Sequence, residues 1–145
     1  MKETDISKTT SELFKLLLQF QKKLLKPSET IIRAEISPTH FYALSILRYN
    51  PMTASALTKE IDISKQQLTP ILDRLEKHGF ITKKSSLLDK RSMIIKLTDD
   101  GIDFLDKQNE YINTLLKDRI SVLDDDNIAY LAVTFEKLNS ILSKI

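Results

Sequence analysis

Gly79 marks the point at which the hydrophobic period of this chain changes. Before it, "SKQQLTPILDRLEKHGF" carries Leu68, Ile71, Leu72 and Leu75 at the three-and-four spacing of one buried helix face. After it, "FITKKSS" and "SMIIKLT" are short β-type runs. Between them lies "SSLLDKRS", a polar, basic stretch too long for a two-residue turn. A helix that closes on a glycine and leads directly into a hairpin with a protruding tip is a narrow specification. Gly101 is the only other glycine in 145 residues. So few glycines argue against sheet-rich or nucleotide-loop folds and for helices joined by short turns.

The flanking sequence fills in the helices. From about residue 5 to residue 26, Ile6, Leu13, Leu17, Phe20 and Leu24 form one stripe, widened by Phe14, Leu18 and Leu25. That apolar face exceeds what one groove requires and points to a subunit contact. Pro27 ends or breaks this helix. In "ISPTHFYALSILRYNP", Ser37 caps, Pro38 takes the first helical position, and Phe41, Leu44 and Leu47 face inward. "MTASALTKEIDIS" gives a short helix capped by Thr53, with Leu57 and Ile61 buried. A long helix starts at Asp99, with acids in its first turn as the helix dipole favours. A last one follows Asp124-Asp125-Asp126, where Ile128, Leu131, Phe135, Leu138, Leu142 and Ile145 form a heptad-like seam. The order is helix, helix, helix, recognition-type helix, hairpin, helix, helix. It predicts a mainly α, single-domain winged helix-turn-helix, with the winged core at about residues 36–99. Dimerisation helices flank it at about residues 5–35 and 100–145.

Charge is uneven along this frame. Residues 1–52 carry a net +3, residues 53–98 a net +4 and residues 99–145 a net −5. Any solvated helix carries charges, but an electrostatic footprint for a polyanion, if there is one, must fall in the middle third. There is no cysteine, hence no disulfide, thiolate metal site or thiol redox switch. His40 and His78 are the only histidines, too few for a zinc-sensing site, and no nucleophile–base set suggests an enzyme. No apolar run approaches a membrane span, and the first residues lack the apolar region of a signal peptide, so a cytoplasmic location is expected with no membrane partner.

The chain resembles the MarR family of transcription regulators. The residues that carry the likeness are "TASALTKEIDISKQQLTPILDRLEKHGFI" and "DKRSMIIKLTDDG", in which Asp89, Arg91, Ile95, Leu97, Thr98 and Gly101 match the family's wing signature. The resemblance implies a homodimer that binds a pseudo-palindromic double-stranded DNA operator, most often as a repressor relieved by a small ligand. It implies no cofactor and no metal. DNA-contacting candidates are Thr53 and Ser55 at the start of the short helix, Ser64, Lys65, Gln66, Gln67, Thr69 and Arg74 on the recognition helix, and Lys90 and Arg91 on the wing. A recognition helix reads base edges in the major groove through its N-terminal residues, and a wing arginine meets concentrated negative potential in the minor groove. Asp89 would brace Arg91 in the family manner. The interface between copies would use Ile6, Leu13, Leu17, Phe20, Ile128, Leu131, Phe135, Leu138 and Leu142. Phe14, His40 and Phe41 could line a pocket for an effector of unknown identity, although a structural role for His40 is the more economical reading.

Three positions depart from the family pattern. Asp62 stands where glycine is common in the turn, and aspartate tolerates the left-handed conformation. Thr58 replaces a small alanine. Pro70 lies inside the recognition helix, six residues past the Ser64–Gln67 capping box. A continuous helix from Ser64 is expected, with a bent or loosened first turn, since proline removes the N–H that would bond the Gln66 carbonyl. Other readings are a winged-helix protein-interaction module and a ligand sensor without DNA binding. The basic wing argues against the first.

Overall fold

The computed structural model describes residues 2–25, 36–88 and 91–145. Pro27, Asp89 and Lys90, singled out above, lie outside the described residues. The chain divides into two units, one formed by Met1–Thr30 with Ile112–Ile145 and the other by Ile31–Tyr111.

The second unit is built by caps and turns that the sequence specifies locally. Helix α2 (Pro38–Leu47) begins with proline at its first position. The Ser37 backbone N–H donates to His40 Nδ1 at 3.2 Å, so His40 satisfies the helix start from its third position. After β1 (Met52–Thr53), helix α3 (Ala54–Ile61) starts on Thr53, whose hydroxyl accepts from the Ala56 N–H at 3.1 Å. Asp62 then takes the left-handed conformation, φ 59 and ψ 50, and turns the chain into the next helix. Helix α4 (Lys65–Lys77) opens on a reciprocal box: Ser64 N–H donates to Gln67 Oε1 at 3.0 Å, and Gln67 N–H donates to Ser64 Oγ at 3.2 Å. It runs unbroken through Pro70 and ends at Gly79, φ 75. The expected loosening of its first turn does not interrupt it, because the box ties that turn from both sides. Strands β2 (Ile81–Ser85) and β3 (Met93–Leu97) pair antiparallel as a hairpin.

A third strand was not legible in the sequence. β1 pairs with β3, Met52 opposite Ile95, giving the order β1-β3-β2. Two residues are too short to show a period. The core forms where these elements meet, with Ile36, Leu44, Leu57, Leu68, Leu75, Ile81, Ile95 and Leu105 almost wholly buried. Each such side chain stabilises the fold by roughly 1.5–3 kcal/mol. Two inward assignments need adjustment: Phe41 and Ile61 are only partly buried against the core, while Ala43 is fully enclosed.

The first unit has a different character. Helix α1 (Lys2–Gln19) starts earlier than expected and closes in a π-helical turn, Phe20–Leu24, with Leu25 N–H bonded to the Phe20 carbonyl at 2.9 Å. Helix α5 (Asp99–Ile120) enters this unit, and α6 (Asp125–Leu142) follows, capped by Asp124, whose carboxylate accepts from Asn127 N–H at 2.8 Å. Phe20 and Phe135 pack with ring centroids 6.0 Å apart. Neither α1 nor α6 has a buried residue. Ile6 and Leu17 are more than half exposed, at 62% and 56%.

Candidate nucleic-acid interface

The first turns of α4 present Lys65, Gln66, Gln67 and Thr69 to solvent, because Leu68, Leu72 and Leu75 take the buried face. Their hydrogen bonds separate them. Gln67 Oε1 is occupied by the Ser64 N–H and hydroxyl, at 3.0 and 3.2 Å. Pairing to adenine in a two-pronged manner needs both amide atoms, so Gln66 is the side chain suited to it. Thr69 turns its hydroxyl back to the Lys65 carbonyl at 2.9 Å. Thr53 is engaged in capping α3, whereas Ser55 is exposed in that helix's first turn.

The wing projects from the same unit. Arg91 is exposed, next to Ser92, whose carbonyl accepts from Ser86 N–H at 2.8 Å and closes the hairpin. Lys83 departs from both of its simplest readings, a phosphate ligand and a charged strand edge. Its ammonium donates to Asp73 at 2.6 Å and lies 3.7 Å from Glu76, with the side chain only 19% exposed. It thus ties β2 to the flank of the recognition helix. Nothing in the sequence signals this pairing, since Lys83 belongs to β2 whereas Asp73 and Glu76 belong to α4.

The charge of Arg74, on α4, is felt at His40 near the start of α2. Burial, the positive charge of Arg74 and His78 together hold the His40 pKa below its ordinary 6.5. His40 is therefore neutral near pH 7, as its acceptor role toward Ser37 requires. His78 stacks on Phe80 with centroids 5.6 Å apart, and Phe80 stacks in turn on Phe104 at 4.4 Å.

Comparison with known proteins decides what this arrangement is. The family model described as "MarR family" matches residues 36–93, the stretch from just before α2 to the first residue of β3. Residues 36–93 are a MarR-family winged helix. The chain has that family's winged helix DNA-binding fold, a family of transcriptional regulators rather than enzymes. It is 29% identical to the organic hydroperoxide resistance transcriptional regulator of Bacillus subtilis, over 77% of this chain and 78% of that one. It is 33% identical to the transcriptional repressor MprA of Escherichia coli, over 64% of this chain and 55% of that one. The structure of apo MarR from E. coli superposes with a TM-score of 0.73 at 25% identity, covering 88% of this chain and 94% of that one.

Within this MarR fold the remaining candidates fall as follows. Phe14 is exposed in α1, in one unit, while His40 and Phe41 belong to the other. His40 has a structural partner in Ser37. The interface candidates Phe20, Leu131 and Phe135 line a largely apolar cavity of about 890 Å³ inside the first unit, together with Leu16, Leu24 and Leu115. Among the described residues no cluster of three or more metal-ligating side chains occurs, and no helix is long and apolar enough to cross a membrane.

Proposed function

We propose that the protein is a homodimeric, sequence-specific repressor that sets the start of α4 into the major groove and the wing into the flanking minor groove. The observation that carries this reading is the exposed Lys65–Gln66 turn on the same rigid unit as the exposed Arg91. The Ser64–Gln67 capping box and the buried Leu68 fix the backbone from which Lys65 and Gln66 project, so that their binding costs mainly side-chain freedom. Gln66 would read adenine, Lys65 guanine or a phosphate, and Arg91 the narrow groove. Ser55 and the N–H groups at the start of α3 would meet a phosphate.

The dimer is supported by the first unit. The stripe of Ile6, Leu13 and Leu17 remains exposed in a single copy, and Phe20, Leu131 and Phe135 line an apolar hollow in the same unit. A second copy would bury both. Two recognition helices would then engage half-sites about one helical turn, ~10 bp, apart. A small effector would relieve repression by binding a spacing of the two helices that does not fit the operator.

The test is binding to the protein's own upstream DNA, footprinted and titrated with salt. Affinity should fall linearly with salt on logarithmic axes. Arg91→Ala should lose affinity while keeping its fold. Failure to bind any duplex at low salt would overturn the reading.

A further inference from the structure

Leu87 and Leu88 stand fully exposed at the wing tip. Tips of this kind are ordinarily polar, because glycine, asparagine, aspartate and serine serve turn geometry better. The last closing bond of the hairpin joins Ser86 to Ser92, just beyond the paired Ser85 and Met93. The Leu88 N–H donates to Ser86 Oγ at 3.3 Å, which holds the ascending limb of the tip in a local turn. Neither leucine belongs to the core or to the residues packed against it. Their apolar surface therefore contributes nothing to the fold, and it is displayed on the same tip as Arg91.

We propose that Leu87 and Leu88 form an apolar wedge that enters the minor groove of the bound duplex and partly unstacks one base step, bending the DNA. This rests on the DNA-binding reading above. The charge of the hairpin selects the occupant: apart from Lys83, which is paired with Asp73 and Glu76, residues 81–97 carry four basic side chains and one acidic. An apolar protein surface has no use for that field, whereas a duplex does. Groove edges and phosphates are polar, so a leucine gains by entering DNA only if it reaches the faces of the bases. Inserted leucines elsewhere unstack a step and kink the duplex toward the major groove. The cost is least at pyrimidine–purine steps, so the wedge also confers a sequence preference for TA or CA/TG under the wing. Arg91 holds the tip in the groove, and the leucines act on the stack.

The test uses a duplex selected from a random pool by the full-length protein, with 2-aminopurine placed in turn at each step under the wing footprint. Wild-type protein should brighten the probe at one step, reporting unstacking. The double variant Leu87→Ser with Leu88→Ser should abolish the brightening and weaken binding roughly tenfold, with the salt slope unchanged. Its thermal unfolding should match wild type, since both positions are exposed. Arg91→Ala should lower the salt slope by about one and keep the brightening. Unchanged affinity and brightening in the double variant would overturn the wedge, as would absence of brightening with wild type. Loss of binding to anionic phospholipid vesicles with DNA binding intact would also overturn it, assigning the leucines to a lipid surface. Failure of wild type to bind any duplex in the pool would instead overturn the DNA-binding reading on which the wedge depends.

Discussion

Thr98 is hydrogen-bonded to Gly79: its hydroxyl donates to the Gly79 carbonyl at 2.5 Å. The same oxygen accepts from the Gly101 N–H at 3.0 Å, and the Thr98 N–H donates to the Phe80 carbonyl at 3.0 Å. One residue therefore caps α5 and holds the end of the recognition helix against the base of the wing. Gly101 completes the joint. A Cβ at this position would press into the Phe80 backbone carbonyl, which leaves only glycine able to sit there.

That joint gives the first prediction. Gly101→Ala should destabilise the protein by about 1–3 kcal/mol or more, because backbone rather than a flexible side chain must move aside. Thr98→Val should lose about 1–3 kcal/mol by orphaning the Gly101 N–H and the Gly79 carbonyl. Urea unfolding of both variants measures this. Wild-type stability in Gly101→Ala would show that the contact relaxes freely.

The second prediction concerns Lys83. Its contacts with Asp73 and Glu76 make it an anchor of the wing rather than a phosphate ligand. Asp73 is 62% exposed, so the pair is worth only about 0.5–1 kcal/mol. Lys83→Met should cost about that much stability while preserving the packed stem. DNA affinity should drop modestly with an unchanged salt slope. A slope reduced by about one would instead make Lys83 a phosphate contact.

These two joints also show where the sequence was readable. Elements set by local rules were legible: Ser64 with Gln67, Thr53, Pro38, Asp62 and Gly79 act within four residues of themselves, and the structure follows them. Relationships between elements were not. The β1 strand exists only because β3 lies beside it, and Lys83 meets Asp73 only after the wing folds back. A structural role for His40 is the more economical reading of the sequence, but the capping itself is not legible there, because a histidine stands in for the usual Glu or Gln at the third helical position. Among the candidate contact residues, the engagement of Gln67 Oε1 by Ser64, which leaves Gln66 the better suited of the two, follows from the folded first turn and not from the sequence pattern.

Pro70 supplies the third prediction. It is exposed inside an unbroken helix, and it leaves the Gln66 carbonyl without the N–H that position normally provides. An interior proline costs up to about 3 kcal/mol relative to alanine. Pro70→Ala should therefore raise stability by up to about that amount. It should also change operator affinity, since the residue whose carbonyl is freed, Gln66, is the one suited to read a base. Thermal unfolding and DNA titration of the same variant separate the two effects. Higher stability with untouched affinity would show that the proline is tolerated rather than used.

The last prediction is a pH dependence. The His40 pKa lies below 6.5 in the folded protein because of burial, Arg74 and His78, whereas in the unfolded chain it returns to about 6.5. Between those values the unfolded chain binds more protons than the folded one, so stability rises with pH. The contribution of His40 is fully present above about pH 6.5 and is lost as pH falls from there toward the folded value. Protonation also removes the Nδ1 lone pair that accepts from Ser37 N–H, freeing the start of α2. His40→Gln keeps a side-chain acceptor at the third position and carries no titrating proton. It should match wild type near pH 8 and exceed it at pH 5 in urea unfolding. A wild-type protein whose stability loss between those pH values is unchanged by His40→Gln would place the titration elsewhere.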